Sequence, residues 1–221
     1  MSENTKNHRI CAIFAGGPEQ GLPCMPVPED AYVLCADSGL RLCQRMGRKP
    51  DLVLGDFDSL GAVPEQLPHI VSPAEKDDTD TMLCVRTALE KGCRDIRIFG
   101  AFGGRLDHTL ANLQTLEFLR KNGASGMLIG AGDWACMLQG GETGRFPRRS
   151  GETLSVFAWS EHCGGVCIRG AKYPLEQAEL HRSIPLGVSN EITAQYAEIC
   201  CETGILLVIG SRQALSCRNS V

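Results

Sequence analysis

Aromatic residues are scarce, 5% of 221, and no charge sign is in marked excess: 22 Lys and Arg stand against 26 Asp and Glu, a formal net charge of −4. Split at residue 150, each half carries −2, so neither supplies the Lys/Arg footprint that a nucleic-acid backbone requires. Small phosphorylated ligands stay open. No apolar run approaches the ~20 residues of a membrane-spanning helix, and the opening MSENTKNHRICAIFAGG is polar, its apolar stretch too short and glycine-broken for a secretory leader. Twelve cysteines are about 5% of the chain, short of the roughly 8–10% of a disulfide scaffold. There is no C-x-x-C, and the nearest pairs, Cys163/Cys167 and Cys200/Cys201, have no His half-site at zinc-finger spacing. The expectation is buried, reduced thiols in a cytoplasmic protein with neither membrane nor nucleic acid as partner. A phosphate-binding G-x-x-x-x-G-K-[ST] loop is also missing.

What is present is a globular composition, 43% hydrophobic and 22% charged. Short Val/Ile/Leu-rich runs at 9–15, 31–36, 51–55, 69–72, 95–100 and 125–130 read as strands. Between them, 79–91 places Met82, Val85 and Leu89 on one helical face with an Asp/Thr cluster to cap its start and Gly92 past its end. Leu106, Leu110, Leu113 and Leu119 predict a second amphipathic helix ending near Asn122 and Gly123. Strand and helix in alternation predict an α/β domain on a mostly parallel sheet. From Asp133 the runs 133–139, 152–160, 164–169, 192–202 and 205–210 read as strands with no helix between them, which predicts a small all-β sandwich or barrel. The Gly-, Pro- and Arg-rich segment 140–151 suits a linker, so the expected domains are 1–140 and 141–221. Trp134 and Trp159 are assigned to packing.

The aspartates are unevenly placed: all eleven lie at or before Asp133, nine of them between Asp37 and Asp107. In an open α/β sheet ligands bind beyond the carboxyl ends of the strands. At those ends stand Gly16-Gly17, Asp37-Ser38-Gly39, Asp56-Phe57-Asp58-Ser59 and Gly103-Gly104-Arg105-Leu106-Asp107-His108. Glycine lets backbone approach a ligand, and carboxylate binds a hard cation. In extended backbone Asp56 and Asp58 project to one side, where two oxygens can share a Mg²⁺ that also holds phosphate. Asp77, Asp78 and Asp80 precede a helix start, and Lys76 and Arg105 are cations placed to meet phosphate. Each motif alone has a plainer reading as turn, solvated loop or helix cap. Their recurrence at successive strand ends favours a metal and phosphate site.

In order, Ala36-Asp-Ser-Gly39, Pro50-Asp51 leading to Gly55-Asp-Phe-Asp-Ser59, Lys76-Asp-Asp-Thr-Asp80, Gly104-Arg-Leu-Asp-His108 with Asn112, Lys172-Tyr-Pro-Leu175 and Gly187-Val-Ser-Asn-Glu191 resemble the bacterial-type thiamine pyrophosphokinase family. The resemblance runs from about Asp37 to Gly210. It implies Mg²⁺-dependent transfer of the pyrophosphoryl group of ATP to the hydroxyl of thiamine, giving thiamine diphosphate and AMP. It also implies an α/β nucleotide domain, a β-sandwich domain for thiamine and dimerisation, and a homodimer with sites between subunits. By the same resemblance, Asp56, Asp58 and Asp80 are metal and catalytic carboxylates, with Arg105 also catalytic. Asp37, Lys76, Thr79, Arg105, Asp107, His108 and Asn112 line the ATP site, and Ser189 and Asn190 the thiamine site. The chain departs from the family at Ser38, where a second glycine is usual. Two alternatives remain on the residues alone. One is a phosphohydrolase with Asp56 as nucleophile and Asp58 as acid, which leaves the β-domain motifs unexplained; the other is a noncatalytic nucleotide-binding module.

Overall fold

The computed structural model describes residues 9–17, 21–61, 65–73 and 78–212. Residue contacts divide the chain into two units that meet at Ala131 and Gly132.

The first unit is a six-stranded sheet of β1 (Arg9–Phe14), β2 (Tyr32–Ala36), β3 (Leu52–Gly55), β4 (His69–Val71), β5 (Cys93–Phe99) and β6 (Ser125–Ile129). All pairs are parallel, in the order β6-β5-β1-β2-β3-β4. Parallel strands buried on both faces read as continuous apolar runs. In β1 the alternate residues Cys11 and Ile13 face one side, Ala12 and Phe14 the other, and all four are fully buried. The Phe14 side is covered by Leu40 and Cys43 of α1 (Gly39–Arg45) and by Met25 and Val27 of the preceding segment. α2 (Asp80–Glu90) packs over β1, β2 and β5 with Cys84, Val85 and Ala88 inward, and α3 (Leu106–Lys121) packs on β6. The chain steps outward from β1 to β4, then crosses back to place β5 on the other side of β1. The reversal point therefore lies at β1, whose exit is where a ligand crevice opens in such sheets.

Two differences from the sequence pattern bear on that end of the sheet. α1 carries no long apolar period and was not expected. It forms because Gly39 lets the chain turn directly against β1: a Cβ at Gly39 would strike the Phe14 carbonyl. In α3, Leu119 is buried as expected but Leu106 and Leu110 are exposed. A regular apolar spacing gives a stripe, but not where along the helix the stripe meets its partner.

The second unit comprises two four-stranded antiparallel sheets. One has the order β12 (Gly187–Asn190), β9 (Glu152–Ala158), β14 (Ile205–Arg212), β7 (Asp133–Gln139). The other is β11 (Leu175–His181), β10 (His162–Arg169), β13 (Tyr196–Cys200), β8 (Thr143–Pro147). Trp134 of β7 stacks on Phe146 of β8 with ring centroids 5.3 Å apart, joining the two layers of the expected sandwich. The segment expected as a linker contains β8. Pro147 ends that strand at the sheet's edge, where a missing N–H is tolerated, and Phe146 is buried. β7, expected at the end of the first domain, belongs to this second unit.

The contact at Gly39 gives a test of sign. By helix propensity alone, Gly39→Ala should stabilise by roughly 0.5–1 kcal/mol. Overpacking against the Phe14 carbonyl should instead destabilise the chain by about 1–3 kcal/mol, seen as a lower Tm in thermal denaturation. A raised Tm would show that β1 and α1 do not meet in this way.

Candidate active site

A cleft of about 500 Å³ opens at the carboxyl end of the parallel sheet. Every element that reaches it does so at a strand exit or helix start: Ala15–Gly17 after β1, Ala36–Ser38 after β2, Asp56, Asp58 and Ser59 after β3, Thr79–Thr81 at α2, Gly100 and Ala101 after β5, and Gly103–Arg105, His108 and Asn112 at α3. The volume lies within the range of small-molecule sites.

Its floor carries three carboxylates. Asp37, Asp56 and Asp58 each place an oxygen within 4.8 Å of the others. The reason differs from the extended-strand geometry expected of Asp-x-Asp. Phe57 sits at φ 63 and drives its ring into the core, so the chain turns between the two aspartates and the Asp58 N–H donates to Asp56 Oδ1 at 3.2 Å. Ser59 Oγ donates to Asp58 Oδ1 at 2.9 Å. Asp37 is brought in by its own left-handed backbone, φ 46, and by its N–H donating to the Leu54 carbonyl at 2.8 Å. Gly55 leaves the room, since a Cβ there would lie 3.0 Å from Asp37 Cβ. Left-handed backbone at a non-glycine residue costs about 1–2 kcal/mol, and Asp37 in the lining with Phe57 between the other two aspartates marks this end of the sheet as a site of built-in strain.

Asp37 is 7% exposed, and its Oδ1 is buried with no hydrogen-bond partner among the described residues. An unpartnered buried carboxylate oxygen facing two further carboxylates is a donor set that a hard cation satisfies. Asp80 lines the same cleft at the first turn of α2. Thr79 caps that helix by accepting the Met82 N–H at 3.1 Å, as its position in the sequence predicts.

Arg105, also in the lining, is held by Asp107 through two hydrogen bonds, 3.1 Å from Nε and 2.6 Å from a terminal nitrogen. These bonds keep the Asp107 carboxyl below its ordinary range. His108 is exposed on the rim. Asn112 is buried and donates to the Ala101 carbonyl at 2.8 Å, tying the β5 exit to α3. Of the expected nucleotide set, Asp37, Thr79, Arg105, His108 and Asn112 line the cleft; Asp107 reaches it through Arg105, and Lys76 lies outside the described residues. Asp51 is not in the lining: its carboxylate accepts the Val33 N–H at 2.8 Å and ties β2 to β3. Ser38, in place of the usual glycine, puts its Oγ where a Cβ on Gly16 would fall, so close approach there is preserved by Gly16. Thr81 and Ser59 were missed, and their signal was only adjacency to the aspartates.

Ser189 and Asn190 lie in the second unit on β12. Ser189 has φ 57 and an exposed side chain, with its N–H donating to Ser155 Oγ at 3.1 Å. Asn190 is buried. Its Oδ1 accepts the N–H groups of Tyr173 (3.0 Å) and Glu191 (2.9 Å), and its Nδ2 donates to the Tyr173 carbonyl at 2.8 Å. This amide clasps the Lys172–Tyr173 turn to β12, leaving Tyr173 60% exposed.

Comparison with known proteins accounts for both units. Residues 27–127 match the family described as thiamin pyrophosphokinase, catalytic domain, and residues 145–206 match thiamin pyrophosphokinase, vitamin B1 binding domain. The thiamine pyrophosphokinase of Bacillus subtilis (strain 168) is 31% identical over 207 residues, spanning 90% of this chain and 97% of that protein. The crystal structure of thiamine pyrophosphokinase from Bacillus subtilis superposes with a TM-score of 0.83 at 29% identity, covering 93% of this chain and 100% of that one. That of the Geobacillus thermodenitrificans protein gives 0.79 at 29% identity, over 94% and 99%. The likeness to thiamin pyrophosphokinase from Candida albicans, 15% identical with a TM-score of 0.71 over 92% of this chain and 89% of that one, is one of fold. With both domain types matched in order and a full-length relative above 30% identity, the chain belongs to the thiamine pyrophosphokinase family.

Proposed function

We propose that the cleft carries Mg²⁺-dependent transfer of the pyrophosphoryl group of ATP to the hydroxyl of thiamine, giving thiamine diphosphate and AMP. The observation that carries this reading is the buried, unpartnered Asp37 Oδ1 beside Asp56 and Asp58. Asp37, Asp56 and Asp58 would hold the cation, with Asp80 at its edge. When bound, Mg²⁺ supplies charge neutralisation for the phosphate oxygens. The chain's own residues do the rest. Gly16-Gly17 and Gly103-Gly104 let backbone lie against the triphosphate without a Cβ in the way. Arg105, preorganised by Asp107, meets phosphate charge, with Lys76 and His108 assigned the same task. Thr79 fixes the start of α2, whose amide end favours an anion. Asn112 holds the β5 exit in place. Asp80 accepts the proton of the attacking hydroxyl. Such a transfer needs alignment and charge compensation more than covalent help.

The second unit is assigned to thiamine: Ser189 as a hydrogen-bonding contact, and Asn190 as the group that positions the Tyr173 turn beside it. A homodimer with sites at the subunit interface belongs to the same reading. The exposed apolar residues Ile184, Leu186 and Val188, close together along the second unit's chain, support it as surface that a second copy would cover. A cytoplasmic location is supported by the described cysteines, none of which is in a disulfide, and no described helix is long and apolar enough to cross a membrane.

Asn keeps the shape of Asp but not its charge. Asp56→Asn and Asp58→Asn are therefore each expected to lower turnover by roughly a hundredfold or more, with the far-UV circular dichroism unchanged and the loss deepest at limiting Mg²⁺. Near-normal turnover of both variants at limiting Mg²⁺ would remove the metal assignment.

The two thiamine-side residues should part company. Ser189→Ala removes about 0.5–1.5 kcal/mol of neutral hydrogen bonding and is expected to raise the KM for thiamine several-fold while leaving the KM for ATP unchanged. Asn190→Ala strands two N–H groups and a carbonyl and should also lower Tm. Steady-state kinetics with each substrate varied, alongside thermal denaturation, separates contact from clasp. Equal KM rises for both substrates in the Ser189 variant would count against the contact.

A further inference from the structure

The cysteine pairs close in sequence are not the ones the fold brings face to face. Cys163 points its thiol at the Ile205 carbonyl, 3.1 Å away, and Gly164 and Gly165 interrupt β10 between it and Cys167 with a shift of register against β11. Cys200 and Cys201, being adjacent on an extended chain, point to opposite sides. Directly opposite Cys167, across the antiparallel β10/β13 pair, stands Cys200.

The ladder puts these two side chains on one face of the sheet. The next pair in the ladder, Ile168 and Ile199, is buried on the other side of the sheet. The pair after that, Arg169 and Glu198, shares the cysteines' side and forms a 3.6 Å ion pair, so this is the polar face. The Cys167 sulfur accepts the Gln177 N–H at 3.4 Å. Directly opposed residues in an antiparallel pair have Cα atoms about 4.5 or 5.5 Å apart, depending on whether they exchange backbone hydrogen bonds. Both values lie within the roughly 4.4–6.8 Å that a disulfide spans. Cys167 is 3% exposed, whereas Cys200 is partly open to solvent. A buried resolving thiol therefore lies beside an accessible attacking one.

We propose that Cys167 and Cys200 are a dithiol–disulfide site, oxidised by small-molecule disulfides in the native state without rearrangement of the sheet. Cys200 gives its proton to solvent and its thiolate attacks one sulfur of a reagent such as glutathione disulfide. The reagent's S–S bond breaks, one thiolate leaves, and a mixed disulfide stands on Cys200. Cys167, deprotonated in turn, attacks the Cys200 sulfur and releases the second thiol. Two protein thiols become one disulfide, and one reagent disulfide becomes two thiols. Dithiothreitol reverses the change.

The test is incubation of the full, native chain with glutathione disulfide, acid quench, alkylation of remaining thiols, digestion and tandem mass spectrometry. The expected product has lost the mass of two hydrogens, carries the link Cys167–Cys200, unfolds at a Tm several degrees higher because the crosslink restrains the unfolded chain, and reverts with dithiothreitol. Cys200→Ser should abolish the link while Cys201→Ser keeps it. Fragmentation between residues 200 and 201 makes the same distinction in the unsubstituted chain should the Cys201 variant not fold. A link through other cysteines, glutathione retained on Cys200 with no internal bond, or oxidation only after denaturation would each overturn the proposal.

Discussion

Three carboxylate oxygens within 4.8 Å of one another repel. Each pair costs on the order of 1 kcal/mol in water and several times that near a protein surface, so the arrangement persists only because something else fixes the backbone that carries it. The sheet does this. Asp37 is fastened through its N–H to the Leu54 carbonyl, and Phe57, between the other two aspartates, is anchored in the core on the Phe14 side of the sheet. Leu54 and Phe57 belong to the same strand and its exit, so the apolar interior that stabilises β3 also forces the charges together. Glycines at 16, 39 and 55 then bring the exits of β1, β2 and β3 closer than side chains would allow. A cation binding here would relieve repulsion already built in.

The two units divide the chemistry by polarity. The first keeps every aspartate except Asp133 and concentrates negative charge and glycine at one end of a sheet. The second holds no aspartate after Asp133; of its motif residues Ser189 and Asn190 are neutral, and the charged Lys172 and Glu191 pair with each other at 3.6 Å. Thiamine is cationic and heteroaromatic, and under the proposed assignment the surface at Ser189 and Asn190 would orient it without taking the metal. Asn190 illustrates how that surface is made rigid: one buried amide satisfies three backbone groups across Tyr173 and Glu191. The exposed residues around it, Ser189 and Tyr173, are thereby presented from fixed backbone.

Much of this was legible in the sequence, and the gaps have physical reasons. The parallel strands stood out because burial on both faces leaves unbroken apolar runs, and the capping of α2 by Thr79 followed from its residue types. Most of the residues that line the cleft were legible because glycine and aspartate recur at the strand exits. The grouping was less so. Asp37 joins Asp56 and Asp58 through a left-handed backbone that no periodicity reports, and Asp56 meets Asp58 because Phe57 turns inward, whereas an extended strand was expected. β8 was hidden by Gly and Pro, which mark a loop only where no neighbouring strand supplies pairing; β13 supplies it. Leu106 and Leu110 have the spacing of a core stripe but lie exposed at the start of α3. The Cys167–Cys200 juxtaposition depends on register between strands distant in sequence, which spacing along the chain cannot encode.

The identity of the phosphorus attacked distinguishes pyrophosphoryl transfer from every other chemistry that an aspartate-rich cleft of this kind supports. Chromatographic analysis of the products formed from ATP, thiamine and Mg²⁺ reads it directly. The account predicts AMP and thiamine diphosphate in equal amounts, with no ADP. Formation of ADP with thiamine monophosphate, or release of inorganic phosphate without any phosphorylated thiamine, would contradict it.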